Sequence, residues 1–359
     1  MELLLKDDLL MTIESNGQCT VKDFDRLPFA LRKPEVALID FIEWASNRTL
    51  SIGRSYAKEI LNSLRLSQVN RYAVCKACRA VSLEDAYWIR QTDDQAEWEE
   101  VNLFKNKLSL FITEVSLSGS NTHYRVEKYS KDTIHTPELT TLGANAKGWI
   151  RSEDGLYLHK VGKNELPASE ILEALQIKHI PYYESEADEV RMYLSEERRG
   201  WIEGVGEKIV KSRLFTTEDQ ALVTFEEFKL FCDAYGMNPY EEALKIDKQA
   251  YLEMQIADYI LNNNDRHEQN WGFIMDNESG QLTGYVPLFD HDHAFAEYKN
   301  VHSQTTEQDM TLLQAAVKAQ GELKMDLSVL DRMEKPKELS DKQWKAVQMR
   351  KEQVMRSSM

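Results

Sequence analysis

The sequence predicts an α+β protein of two or three lobes, with an N-terminal accessory region and a mostly helical C-terminal part. Three observations carry this. The 359 residues are too many for one compact core. A hydrophobic content of 42% is that of an ordered globular chain. The apolar pattern also changes along the chain: strands and turns dominate between residues 138 and 215, and helical spacing dominates from 217 onward.

The elements follow in order. Residues 3–24 read as a β-hairpin, with "LLLKDDLLMTIE" and "CTVKDF" joined by "SNGQ", because Asn16-Gly17 is a strong hairpin signal. From about 33 to 105 the spacing is helical, as in "ALIDFIEWA", "YAKEILNSLRL" and "RYAVCKACRAV". Ser82 and Asp85 in "SLEDAYWI" fit a capping pattern before an aromatic-rich turn. Residues 106–136 are polar and mixed and read as a linker or irregular loop. "GWIRS", the turn "EDG" and "LYLHKV" read as two adjacent strands. "NELPASEILEALQI" reads as a helix with Ile171, Leu172 and Leu175 on one face, and "EKIVKSRLF" (207–215) as extended. "TFEEFKLFCDAYG" is a helix closed by Gly236. "YEEALKIDKQAYLEMQIADYILNNN" reads as one long buried helix ending at a triple Asn. "WGFIMD", the turn "NESG" and "YVPLFD" then form a hairpin. "SDKQWKAVQMRKEQVM" is amphipathic through Trp344, Val347 and Val354 and reads as a packing helix.

Bulk properties exclude several functions. The net charge of −16 argues against direct nucleic-acid binding, because a polyphosphate would be repelled. The sequence contains no apolar run of the length a membrane helix needs, and "MELLLKDDLLMTIE" carries acids too early for a secretory signal. The expectation is a cytoplasmic enzyme or regulator. Four cysteines make no disulfide scaffold. Cys75 and Cys78 lack a second ligand pair for zinc and read as small buried side chains.

Chemistry concentrates in "NNNDRHEQNWGF" (262–273) and "YVPLFDHDHAF" (285–295), at the entry and exit of the predicted hairpin. Asp265 and Asn270 stand five positions apart, the spacing of a kinase catalytic loop, in which the Asp accepts a hydroxyl proton and the Asn holds magnesium. Asp290, at the exit of the hairpin, has the placement of the second magnesium ligand. Both are hard oxygen donors, which magnesium requires. Because the ends of paired strands lie close, Asn270 and Asp290 can face one point. Lys160, on a strand after the Gly-containing "TTLGANAKG", is the candidate phosphate lysine, with Glu165 or Glu170 of the next helix as its partner. The loop 140–148, with two glycines and Lys147, can lie over phosphates through backbone N–H groups. Arg266 reads as a brace that pairs with a carboxylate, and His267 as either a proton carrier or a loop-holding residue.

Residues 138–300 resemble the HipA-like serine/threonine kinases, which share a bilobal, protein-kinase-like and phosphoinositide-kinase-like fold. The resemblance rests on the DRHxxN letters of 265–270, on "VPLFD" beside the P-L-[YF]-D metal motif, and on "TTLGANAK" beside the loop in which a Ser or Thr precedes G-A-Q/N-x-K. It implies catalysis by Asp265, with His267 beside it, magnesium on Asn270 and Asp290, and ATP on Lys160, Glu165, Gly143, Ala144, Asn145 and Lys147. Thr140 falls on the family's autophosphorylated serine, with Thr141 as its neighbour. The implied domains are an accessory region (1–110), an N-lobe (111–216) and a helical C-lobe (217–359). The implied cofactors are ATP and Mg2+, and the implied partners are a protein substrate and an antitoxin or regulator. The chain departs from ordinary protein kinases in having no G-x-G-x-x-G, H-R-D or D-F-G, and its adenine hinge is sought in 207–215.

Two other readings stand beside this one. His291, Asp292 and His293, with His267 and Asp290, suggest a metal-dependent phosphohydrolase. In an extended segment His291 and His293 would share one side and Asp290 and Asp292 the other. The third reading is a pseudokinase kept as a binding module.

Overall fold

A computed structural model describes residues 1–119, 135–194, 196–297, 301–306 and 309–357. The chain opens with strands β1 (Glu2–Leu5), β2 (Asp8–Ile13) and β3 (Cys19–Val21). Thus "LLLKDDLLMTI" is itself a hairpin: it reverses at Lys6, which takes a φ of 52°, and the Asn16-Gly17 turn then makes a second one. One hairpin was expected. The polar "KDD" between two apolar runs marks the missed turn. Helices α1 (Leu38–Asn47), α2 (Ala57–Ser63) and α3 (Arg71–Ala77) follow as their spacing predicts. Cys75 and Cys78 are buried, and burial pushes both thiols up, Cys78 to about 11, as for structural cysteines.

The expected cap and turn at 82–90 is instead strand β4 (Tyr87–Arg90), antiparallel to β1. Asp85 caps no helix; it accepts the Tyr87 N–H at 2.9 Å and takes a two-pronged ion pair from Arg48 at 2.7 and 2.8 Å. After the short turn α4 (Trp98–Val101), the segment expected to be a linker contains helix α5 (Leu110–Ser118). Ser109 caps its N-terminus and Gly119, at φ 74°, ends it. Ile112, Val115 and Leu117 pack inward, which the polar residues around them concealed. Residues 120–134 of that expected linker lie outside the described residues.

Strands β5 (Lys147–Ser152) and β6 (Gly155–Val161) form the expected hairpin. Helix α6 (Glu165–Ala174) buries Ile171 and Leu172 fully and Leu175 just past its end. Then come β7 (Tyr182–Glu184), α7 (Ala187–Val190), α8 (Glu196–Gly204), β8 (Ile209–Arg213) and β9 (Gln220–Thr224). Helix α9 (Phe225–Ala234) is capped by Thr224. The expected single long helix is two, α10 (Pro239–Ile246) and α11 (Lys248–Leu261), broken at Asp247. Asp247 leaves helical geometry and its side chain caps the second helix, the competition between side chain and backbone that disfavours Asp inside helices. Strand β10 (Gly272–Asp276) pairs with β11 (Leu282–Tyr285). The expected strand "YVPLFD" therefore ends at its first residue, and Pro287 follows. Helices α12 (Leu312–Leu323), α13 (Val329–Arg332) and α14 (Asp341–Ser357) complete the chain. Val347 and Val354 of α14 are fully buried, as expected of a packing helix.

Among the described residues the strands form three sheets, in the orders β3-β2-β1-β4, β5-β6-β8-β7 and β11-β10-β9. The chain divides into two compact units. The first comprises Met1–Val161, Glu184–Leu222 and Met275–Gln281. The second comprises Gly162–Tyr183, Val223–Ile274 and Leu282–Met359. In the first, the "NESG" turn is a plain hairpin turn: Asp276 accepts from Ser279, and Gly280 (φ 68°) passes so close to the Asp25 carbonyl that a Cβ would lie 2.0 Å from it. In the second, Trp271 stacks on Phe225 at 3.9 Å, and Phe273 meets Phe228 and Tyr285. This aromatic core underlies the polar loop that precedes β10.

Candidate active site

In the second unit the site begins with α11. Nearly every residue in its last three turns is buried, including Asp258 at 1% exposure. A carboxylate there must be paired. Arg266, 2% exposed, supplies the partner: its guanidinium donates to Asp258 at 3.1–3.3 Å. Asn263 donates to the same carboxylate at 3.1 Å. The chain reverses between them because Asn262 takes the left-handed conformation (φ 49°) that Asn tolerates at a helix end. Arg266 is therefore a brace with a carboxylate partner, as its sequence context suggested.

The remaining arm of that guanidinium ties two loops together. Its Nη1 donates to the carbonyl of Asn270 at 2.8 Å and to that of Phe289 at 2.7 Å. Asn270 and the residue before Asp290 thus share one nitrogen, and the two polar patches meet as the ends of a hairpin should. Asn270 is buried, and its amide N–H donates to the Asp265 carbonyl at 2.9 Å, leaving Oδ1 as its acceptor face. Asp290 holds a φ of 59°, an uncommon conformation of the kind that collects at functional sites. The Asp265 carboxylate is 37% exposed and accessible, with His293 Nε2 at 4.0 Å. His267 is half-buried, and its Nδ1 accepts from the Gln269 backbone N–H at 3.3 Å, a loop-holding contact.

Helix α6 is stitched to the segment after Asp290. Asn164 donates to the carbonyls of Asp292 and Ala294, and the fully buried Glu165 accepts the His291 N–H at 2.9 Å. Glu170 lies exposed on the opposite side of α6. Burial holds the His291 imidazole below its usual pKa, hence neutral. His291 is buried while His293 is 60% exposed, so the two do not share a side as expected; residues 292–295 form a turn, not an extended strand. Among the described residues no three His, Cys, Asp or Glu side chains cluster as a metal site. The site's hard donors are one amide oxygen and one carboxylate, with charge-assisted bracing behind them. This donor set suits magnesium better than zinc or iron.

In the first unit, Lys160 of β6 stands directly opposite Lys147 of β5, and both are buried, at 1% and 6% exposure. Val210 of β8, inside the segment searched for an adenine hinge, flanks Lys160 on its other side. The loop before β5 is held by Arg54. That buried side chain donates to the carbonyls of Glu138, Thr141 and Lys147 and to Ser116 Oγ, at 2.6–3.0 Å. Gly143 holds a φ of 95° that side chains rarely adopt, and a Cβ there would also displace the end of Lys147. Ala144 accepts from the Ser55 N–H at 2.8 Å, and Asn145 is half-buried beside it. Thr140 is buried and donates to the Val81 carbonyl at 2.9 Å; Thr141 donates to Pro137 at 2.7 Å and accepts from Trp149 Nε1. Sequence reasoning missed Arg54, Asp258 and Asn164, because nothing local marks a charged or polar residue whose partners are distant in sequence.

Comparison with solved structures places the fold. Nearly the whole chain (99%) matches 96% of HipA from the toxin–antitoxin system of Shewanella oneidensis MR-1, solved with HipB and operator DNA, at TM-score 0.56 and 12% identity. The proinflammatory kinase CtkA of Helicobacter pylori matches 60% of this chain over 91% of its own, at TM-score 0.44 and 18% identity. No protein-family model matches the chain, and no curated protein matches it by sequence. The fold is therefore the mixed α/β, kinase-like fold of HipA. At this identity the likeness is one of fold.

Proposed function

We propose that the protein is a HipA-type kinase that transfers the γ-phosphoryl of ATP to a protein Ser or Thr hydroxyl. The observation that carries this is the Arg266 guanidinium. It anchors on Asp258 and holds the carbonyls of Asn270 and Phe289, so that the two candidate metal ligands are set by one buried side chain. Such preorganisation is what phosphoryl transfer asks of a protein, since its catalysis is mostly positioning and electrostatics.

In this reading Asn270 Oδ1 and the Asp290 carboxylate hold Mg2+, which neutralises charge on the phosphate oxygens when bound. Asp265, accessible where Asp258 is not, orients the acceptor hydroxyl and takes its proton. His267 steadies the catalytic loop. Lys160, with Lys147 across the strand pair, attracts the phosphates, and Gly143, Ala144 and Asn145 line the loop above them. Glu165 fixes the segment that carries Asp290 through the His291 N–H. Thr140 and Thr141 are the sites we propose for self-modification. Their hydroxyls are bonded to the Val81 and Pro137 carbonyls, so phosphorylation requires these contacts to open, and two added negative charges would keep them open. A partner of the HipB kind is proposed from the HipA likeness.

The test is incubation with γ-labelled ATP and magnesium, beside Asp290→Ala. Label on the wild type alone, mapping to Thr140 or Thr141, is the expected result. Magnesium-dependent ATP binding without label would redirect the search to another acceptor or to a binding module. Absence of any ATP binding would sink the reading.

A further inference from the structure

The second unit contains a cavity of about 670 Å³ that the proposed chemistry does not use. It lies among the end of α11, residues 295–297 and 301, the start of α12, and α14. A volume of this size suits a small organic ligand. Phe295, Val301, Leu312, Ala346 and Met349 form the apolar part of a lining that also carries polar side chains. Into this lining the sequence places Arg350, half-buried on α14. Among the described residues the Arg350 guanidinium has no hydrogen-bond or ion-pair partner. The neighbouring charges are already matched: Lys342 and Glu297 pair with each other at 2.5 Å on the rim. Withdrawing a guanidinium from water without a partner is costly, and burial holds its pKa below the usual value. By contrast, the buried Arg54 and Arg266 each direct both Nη nitrogens to protein oxygens.

We infer that this cavity binds a small amphiphilic anion, with a carboxylate or phosphate head on the Arg350 guanidinium and an apolar body against Phe295, Leu312 and Met349. The planar fork of an arginine accepts either head in two parallel hydrogen bonds, and the cavity wall takes the tail. The inference does not rest on the kinase reading, and its test needs no catalysis.

The experiment is calorimetric titration of the full chain with decanoate, decyl phosphate and decanol. One-to-one binding of an anionic probe is expected, with decanol weaker by about tenfold, the value of one charge-assisted hydrogen-bond pair. Whichever head binds tighter identifies the ligand class. Arg350→Met should bring the anionic probes down to the level of decanol. Ala346→Trp, which fills the cavity and leaves the arginine in place, should abolish binding of all three. No saturable binding to the wild type, or unchanged decanoate and decyl phosphate affinity in Arg350→Met, overturns the inference.

Discussion

At the scale of single residues the candidate site separates carboxylates by exposure. Asp258 is sealed against Arg266, whereas Asp265, seven positions on, opens to solvent. In the proposed reading the first holds geometry and the second meets the substrate. Asp265→Asn should therefore lower kcat by roughly 10²–10⁴-fold, the range for loss of a positioned base, while leaving the unfolding midpoint in urea unchanged. Arg266→Met should do the reverse in stability. It leaves Asp258 charged and buried, at a cost of about 3–5 kcal/mol read from urea unfolding. The Asp258→Leu/Arg266→Met double variant should recover much of that loss without restoring activity, because the carbonyls of Asn270 and Phe289 remain unheld. A double variant as active as wild type would show that the bracket is not needed.

At the scale of elements, the loop before β5 and helix α5 make separate demands. Gly143→Ala places a Cβ against Lys147 Nζ at a φ that side chains resist. It should cost about 1 kcal/mol of stability and weaken ATP binding, the latter read by titration with a non-hydrolysable analogue. Helix α5 was hidden in the sequence because Ser, Asn and Thr crowd both sides of it and Thr113, Glu114 and Ser116 interrupt its apolar residues. Its reality rests on Ile112, which is fully buried against α2 and its neighbours. Ile112→Ala should cost about 2–5 kcal/mol. A change under 0.5 kcal/mol would mean that the segment is the loose linker its composition suggested.

At the scale of the whole molecule, stability should respond to acid through histidines that fold neutral. His159, buried on β6 beside Ser185, has its pKa driven by burial from 6.5 to about 4. The unfolded chain then binds a proton that the folded chain refuses. The contribution of His159 is complete above pH 6.5 and is lost as pH falls from there toward about 4. The buried Glu138, held above its usual pKa by burial, works in the opposite sense. The clean measurement is therefore the difference between the wild type and His159→Gln in urea unfolding at pH 8 and pH 5. The variant should lose less stability across that interval; equal losses would refute the assignment.

Local patterning sufficed for most helices, for the β5–β6 hairpin, and for strand β10 with its turn, because each is specified by spacing and turn chemistry within a few residues; the strand after that turn lies earlier than expected, at Leu282–Tyr285. The same locality made Asp265, Asn270 and Asp290 the candidates for the site we propose, since a loop-bound donor set has a fixed spacing along the chain. The tertiary structure alone decided what holds those donors in place. Asp258 reaches Arg266 only because Asn262 turns the chain, Arg266 reaches Phe289 only because a hairpin closes, and Arg54 grips a loop more than eighty residues away. Strand β4 was likewise fixed by its pairing with β1. A buried charge is stable only with its partner, and the partner's position is a property of the folded chain.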